Sequence, residues 1–450
     1  MTETPREADL TAYRNPQNAR PLAGRIAHHW MPRRPRQRGI LAFLGPGLIT
    51  GASDDDPSGI ATYSQVGAQF GYSMAWVMLF TWPLMTAIQE VSARIGRVTG
   101  DGIAGNIREH YPRWLLQVIV ALLLGANIIN LGADLGAMGA ALGLLLGGPI
   151  KLYVVAFAVG CALLEIFARY ENYVHILKWT AVTLFAYVAA ALAVHVPWGK
   201  VAYNTLVPHL IWSTDYLVAI VAVLGTTITP YCFFWQSSEE AEDERIDPAA
   251  HPLREAPGEA RAQISRIRAD TYLGMGFSNL ISLFIIITTA ATLNAHGLTN
   301  IQTSAQAAEA LRPIAGEFAF AVFAAGIIGI GLLAVPVLAG SAAYALGEAF
   351  GWPTGLSRLP RDAKAFYATI AVATLIGIFI NFVGLDPIKA LFWCAVLNGI
   401  VAVPLMVVIM IMARQRRVMG SFVVPRPLWA MGWLSTGVMA AAVAAMFATW

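Results

Sequence analysis

The sequence predicts an all-α integral membrane protein of eleven crossings, ten of which form two five-helix inverted repeats whose opening helices, the first and the sixth, are unwound. Three observations predict it. The 450 residues are 57% hydrophobic and only 13% charged, far below the roughly 25% charged residues of a soluble globular chain. Apolar windows of the length needed to cross about 30 Å of hydrocarbon recur eleven times. Two of those windows, five apart, are interrupted by polar residues and a proline. The apolar excess excludes a disordered chain and a disulfide scaffold, and a formal charge of +3 over this length gives no footprint for nucleic acid. Cys161, Cys232 and Cys394 have no metal-ligand spacing and read as inert packing residues.

Residues 1–38 carry Arg6, Arg14, Arg20, Arg25, Arg33, Arg34, Arg36 and Arg38 without an apolar core segment, which reads as a basic cytoplasmic tail. The spans follow at 39–70, 74–94, 115–147, 150–170, 172–196, 213–240, 272–295, 317–348, 365–383, 387–412 and 428–449. The window at 115–147 is long enough to require tilt or extramembrane backbone. Placing the amino terminus inside assigns 26 of the 30 Lys and Arg to cytoplasmic segments, leaving out Lys151, Lys200, Arg312 and Lys389. That asymmetry is the positive-inside pattern, and an error of one crossing would destroy it. The chain therefore divides into the tail, a first repeat at 39–196, a second at 197–412 containing a hydrophilic cytoplasmic loop at 241–271, and a connection with a peripheral eleventh helix at 413–450, whose end is outside. The run EEAEDE at 239–244 reads as a solvated helix end before that loop rather than as a cation-attracting mouth.

The first window reads GILAFLGPGLITGAS, then DDDPSG at 54–59, then IATYSQVGAQF. Its leading arm, at about 1.5 Å per residue, is too short to cross alone, so the acidic turn belongs near mid-membrane. The sixth reads LVAIVAVLGTTITPYCFFWQ, with Pro230 removing an amide donor and freeing carbonyls one turn back. Such carbonyls persist in a bilayer only where they line a cavity or bind something. Two unwound segments at helices one and six are the signature of inverted-repeat secondary transporters, whose substrate lies between them.

A carboxylate in the bilayer costs several kcal/mol unless paired, and no Lys or Arg on a predicted helix is placed to neutralise Asp54, Asp55 and Asp56. The natural partner is a cation. Asp56, directly before Pro57, is the leading ligand, whereas Asp54 and Asp55 either cap the first half-helix or face the aqueous mouth. Carboxylate, threonine hydroxyls and freed carbonyls, notably that of Thr226, are hard donors suited to magnesium, calcium or manganese. Gly59 leaves room for a partly hydrated ion. Nothing resembles a zinc motif or a nucleophile with its base, so no enzyme is expected, and three consecutive acids disfavour an anionic organic solute.

At these residues the chain resembles the NRAMP family of divalent-metal transporters. The first helix is similar to that family's G-P…D-P-G-N-x-A-T segment at Gly45-Pro46 and Asp56-Pro57-Ser58-Gly59-Ile60-Ala61-Thr62. The second resembles Q-x-L-S-A-K-L-G-x-V-T-G at Gln89 to Gly100, and the sixth resembles A-T-V-M-P-H at Thr226 to Tyr231. The resemblance implies a LeuT-type 5+5 fold and a metal held at Asp56, Gly59, Thr226 and Thr229. Asn of the family pattern is here Gly59 and its soft Met is Thr229, which looks like the magnesium-transporting, NRAMP-related branch. Tyr231 replaces the family's His and titrates only near pH 10; on the third helix Asp134 remains, but Ala137 stands where a Glu belongs. Import of Mg2+, and also Mn2+, without proton coupling follows, with proton-coupled Mn2+/Fe2+ symport as the alternative. Asp55, Tyr231, Asp134, Gln236 and Asn398 are possible pathway residues, while Glu90 and Glu165 read as ion pairs or caps beside Arg94 and Arg169. No cofactor and no obligate protein partner are expected: the chain reads as a monomer in the cell membrane whose partners are the lipid bilayer and the transported ion.

Overall fold

A computed structural model describes residues 51, 54–167, 183–246, 250–384 and 386–450. The basic tail, the leading arm of the first window apart from Gly51 (and so Gly45-Pro46), Arg169 and Lys178 lie outside the described residues. Regular structure among the described residues is helical throughout. The principal helices are α1 (Pro57–Phe70), α2 (Ala75–Thr99), α3 (Ile103–His110), α4 (Arg113–Leu146), α5 (Ile150–Phe167), α6 (Phe185–Ala193) and α7 (Trp198–Leu206). They continue with α8 (Thr214–Thr227), α9 (Pro230–Ile246), α10 (Ala260–Thr292), α11 (Ala319–Phe350), α12 (Lys364–Ile380), α13 (Pro387–Met412) and α14 (Arg426–Thr449). Each predicted window holds one of them, and the sixth holds two, α8 and α9.

Six helical stretches among the described residues are long and apolar enough to cross a membrane. The one running through α8 and α9 has its apolar window 100% buried, whereas that of α14 is 28% buried. The broken sixth crossing is thus central and the eleventh peripheral. α4 runs unbroken for 34 residues, about 50 Å at 1.5 Å per residue, so it tilts or projects beyond the hydrocarbon. Side chains such as Leu79, Phe80, Leu375, Phe379 and Leu434 are exposed, as a lipid-facing surface requires.

The polar connection after the sixth crossing is shorter than the sequence suggests. α9 continues to Ile246 and α10 begins at Ala260, so helix occupies both ends of the predicted 241–271 loop. The expected solvated end is also corrected, because Glu240, Glu242 and Glu244 are buried. Their burial is possible because each meets a partner from a distant element, described below.

Without a hydrophobic driving force inside lipid, helices associate through close packing at small residues. A Cβ on Gly225 would lie 2.0 Å from the Ala395 carbonyl oxygen and 2.4 Å from the Gly399 amide nitrogen, so α8 and α13 meet backbone to backbone. Gly67 stands equally close to Thr289 of α10, and Gly96 of α2 to the Ser237 carbonyl of α9. Gly225→Ala is therefore expected to lower the melting temperature in detergent, by an overpacking penalty of about 1–3 kcal/mol. Gly437→Ala, where a Cβ meets nothing within 4 Å, should leave it unchanged or raise it slightly.

Candidate functional site

The two breaks have the same local cause. Proline at the first helical position sacrifices no bond, because that amide is unsatisfied anyway. α1 therefore starts at Pro57, with Asp56 in extended conformation as its N-cap, accepting from the Gly59 amide at 2.8 Å and the Ser58 hydroxyl at 2.5 Å. In the sixth crossing α8 stops at Thr227, Ile228 and Thr229 leave the helix, and α9 restarts at Pro230. Pro230 occupies the position four residues after Thr226 and has no amide hydrogen, so the Thr226 carbonyl loses its helical donor.

The breaks face one another. A Cβ on Gly59 would lie 3.3 Å from Thr226 Oγ1 and 3.6 Å from the Asp54 carbonyl oxygen. Thr229 Oγ1 donates to Asp54 Oδ1 at 2.8 Å. The Asp54 carboxylate also receives Ser278 Oγ at 3.4 Å, and Asp55 Oδ1 receives Ser278 and Ser282 of α10 at 3.0 and 3.1 Å. Asp56 Oδ2 takes Asn130 Nδ2 of α4 at 2.9 Å and the Tyr231 hydroxyl at 3.4 Å. All three aspartates are at most 1% exposed, and their hydrogen-bond donors are neutral hydroxyl, thiol and amide groups.

Asp56, Gly59 and Thr226 thus lie close together, Asp55 adjoins them against α10, and Tyr231 touches Asp56. Thr229 joins the same centre through Asp54 rather than Asp56. The alternative in which Asp54 and Asp55 face an aqueous mouth is corrected: both are buried, against the sixth-helix break and α10. Asp134 is buried with both carboxylate oxygens lacking a hydrogen-bond partner, within electrostatic range of Asp56. Asn398 is buried on α13 one turn from Cys394, which lies within range of Asp134 and Asp56. Gln236 does not reach the aspartates through any described bond; it bridges Gln89 at 2.5 Å and Thr271 at 3.1 Å. Asn130, Ser278 and Ser282 are site residues that the sequence alone does not single out, although Asn130 precedes Asp134, and Ser278 precedes Ser282, by one helical turn on a shared face. No cluster of three His, Cys, Asp or Glu suited to a metal occurs among the described residues, so an ion here would meet mixed oxygen donors. The three cysteines are buried and free.

Farther along α9, the acidic run is tied to the arginine-rich end. Glu240 pairs with Arg266, Glu244 lies 3.8 Å from Arg97, and Arg245 meets Asp101 at 2.8 Å. Glu242 accepts from the Tyr344 hydroxyl and from the amides of Leu356 and Ser357, the latter at 2.7 Å. Glu348 of α11 accepts from Ser238 at 2.6 Å and from the Gly105 amide at 3.1 Å. Glu90 pairs with Arg94, as expected, and also with Arg268. Glu165 is buried, and the Arg169 proposed to accompany it lies outside the described residues.

Broken first and sixth crossings facing each other over buried carboxylates define a LeuT-type membrane protein, and solved structures share this fold. A manganese transporter from Eremococcus coleocola superposes with a TM-score of 0.70 at 19% identity, covering 92% of this chain and 87% of that one. MhsT in complex with L-phenylalanine gives 0.61 at 12% identity, covering 93% and 100%. The chain belongs to the Nramp family: the profile described as natural resistance-associated macrophage protein-like matches residues 47–449. Relatives include the divalent metal cation transporter MntH of Klebsiella pneumoniae strain 342, 27% identical over 89% of this chain and 92% of that protein. The MntH of Yersinia pestis strain Pestoides F is 28% identical over 75% and 81%.

Because Glu242 caps two amides of the 355–357 turn, Glu242→Ala should free that turn. A cysteine placed at Ser357 is expected to react faster with a membrane-impermeant maleimide in the Glu242→Ala background than in the wild-type background; equal rates would show that the cap does not hold the turn.

Proposed function

We propose that the protein is a divalent metal cation transporter of the Nramp type that favours hard ions, Mg2+ ahead of Mn2+, and moves them by alternating access without proton coupling. The observation carrying this reading is the run of three buried aspartates with no Lys, Arg or His ion-paired to it among the described residues. Neutral donors lessen the cost of burying carboxylates but leave the charge in place. A divalent guest offsets two of those charges.

Asp56 is the direct ligand in this reading. Its four donors fill the roughly four lone-pair positions of a carboxylate, and the weakest, the Tyr231 hydroxyl at 3.4 Å, is the one an ion or its water displaces. The Thr226 carbonyl and hydroxyl and the space beside Gly59 complete the cradle, with Thr229 acting through Asp54. Hydroxyl oxygen at 226 and 229, with no thioether, suits a hard ion over a soft one. Magnesium sheds water reluctantly, and the missing side chain at Gly59 leaves volume for part of its shell. The arginine-rich end is cytoplasmic, the carboxy terminus is outside, and the chain acts as a monomer. A membrane potential supplies about 2.3 kcal/mol per charge per 100 mV, and twice that for a divalent ion, so uptake needs no second gradient.

The relatives' names favour a different reading, manganese as the main cargo, and Asp134 beside Asp56 offers a titratable group to a proton-coupled version of it. Proteoliposome influx separates the two. Asp56→Ala should abolish Mg2+ influx, and Thr229→Met should shift preference towards Mn2+. An internal pH dye should stay silent while Mg2+ enters. Undiminished Mg2+ flux in Asp56→Ala would reject the site, and acidification that tracks metal entry would reject uncoupled transport.

A further inference from the structure

Asn130 is fully buried on α4, and its Nδ2 donates to Asp56 Oδ2 at 2.9 Å. The orientation of this amide is dictated by chemistry: an ionised carboxylate only accepts, so the NH2 group must face it and the oxygen must face away. Asn130 Oδ1 is accordingly buried without a hydrogen-bond partner. One turn further along the same face, both oxygens of Asp134 are in the same condition. Across the site, so is Thr226 Oγ1, beside Gly59. Buried polar atoms left unpaired are costly, because they have given up their hydrogen bonds to water without replacement. Two helices, α4 and α8, therefore hold oxygen atoms awaiting a donor around Asp56.

A hydrated Mg2+ is such a donor, because it keeps several of its waters and polarises their O–H bonds outward. We infer that Asn130 takes part in binding a hydrated ion through its amide oxygen: Nδ2 turns the amide by its contact with Asp56, and Oδ1 accepts a hydrogen bond from the water shell of the bound ion. Gly59 offers no side chain to that shell, and Asn130 supplies amide oxygen from the opposite helix instead. This rests on the reading of the site as a hard-cation site. Asp134, one turn on, extends the same receiving face.

Two near-isosteric variants separate the two ends of the amide. Asn130→Leu removes donor and acceptor, whereas Asn130→Asp removes the donor and keeps an acceptor. In proteoliposomes Asn130→Leu should raise the KM for Mg2+ by about 10–100-fold, the usual effect of losing an outer-shell partner, with a much smaller change in maximal rate. Asn130→Asp should keep KM at or below the wild-type value. Mg2+-induced thermal stabilisation of the purified protein should follow the same order, and if Asn130→Leu does not fold, Asn130→Ala carries the same expectation. An unchanged KM in the apolar variant, or an Asp variant as impaired as the apolar one, would overturn the acceptor role while leaving the transport reading intact. Wild-type protein that moves neither Mg2+ nor Mn2+ would remove the transport reading and this inference with it.

Discussion

The structure depends on how three successive carboxylates are kept buried with no cationic residue paired to them among the described residues. Asp54, Asp55 and Asp56 point into different partners: the sixth-helix break, the serines of α10, and Asn130 with Tyr231. Adjacent carboxylates repel, and distributing them over three elements separates their charges while binding those elements to one short turn. The surrounding helices are held at that distance by glycine contacts that admit backbone against backbone. Close packing and buried charge are thus two sides of one arrangement, since looser helices would not bring enough donors to the turn.

Much of this is legible in the sequence where the cause is local. Pro57 and Pro230 set both breaks within a residue or two, because a missing amide acts on its own turn. The facing of Gly59 and Thr226 follows once the two breaks are matched across the repeats. What stayed hidden depends on partners far away in the chain. Thr229 reaches Asp54 rather than Asp56, a choice made by how the half-helices are rotated, which no local pattern encodes. The acidic run after Gln236 looked solvated because its charge density is high. It is buried because Arg266, Arg97, Tyr344 and the 356–357 amides converge on it. Asn130 carried a faint signal, an amide one turn before an aspartate in an otherwise apolar helix, but an amide in a membrane helix usually serves helix packing.

The two polar regions differ in kind. At the arginine-rich end acids meet guanidinium groups, hydroxyls and main-chain amides, so most of their charge is answered within the protein. At the central turn the donors are neutral, and several acceptor oxygens have none. A region satisfied by its own partners is suited to holding helices together, and one left short of donors is suited to receiving something from outside. Both lie along the sixth crossing, so α8 and α9 connect them through a single interrupted helix.

The contact between Gly225 and Gly399 bears on how that helix is able to move. Main chain pressed on main chain has no rotatable side chains to absorb a shift, so α8 lacks slack on the flank facing α13. A shift of α8 on that flank would have to take α13 with it, and the helical ladder of the sixth crossing is interrupted at Ile228 and Thr229. α9 is held in the same way against α2, where a Cβ on Gly96 would lie 2.0 Å from the Ser237 carbonyl oxygen, so the two halves of the sixth crossing are tied to different helices on either side of the residue that holds Asp54.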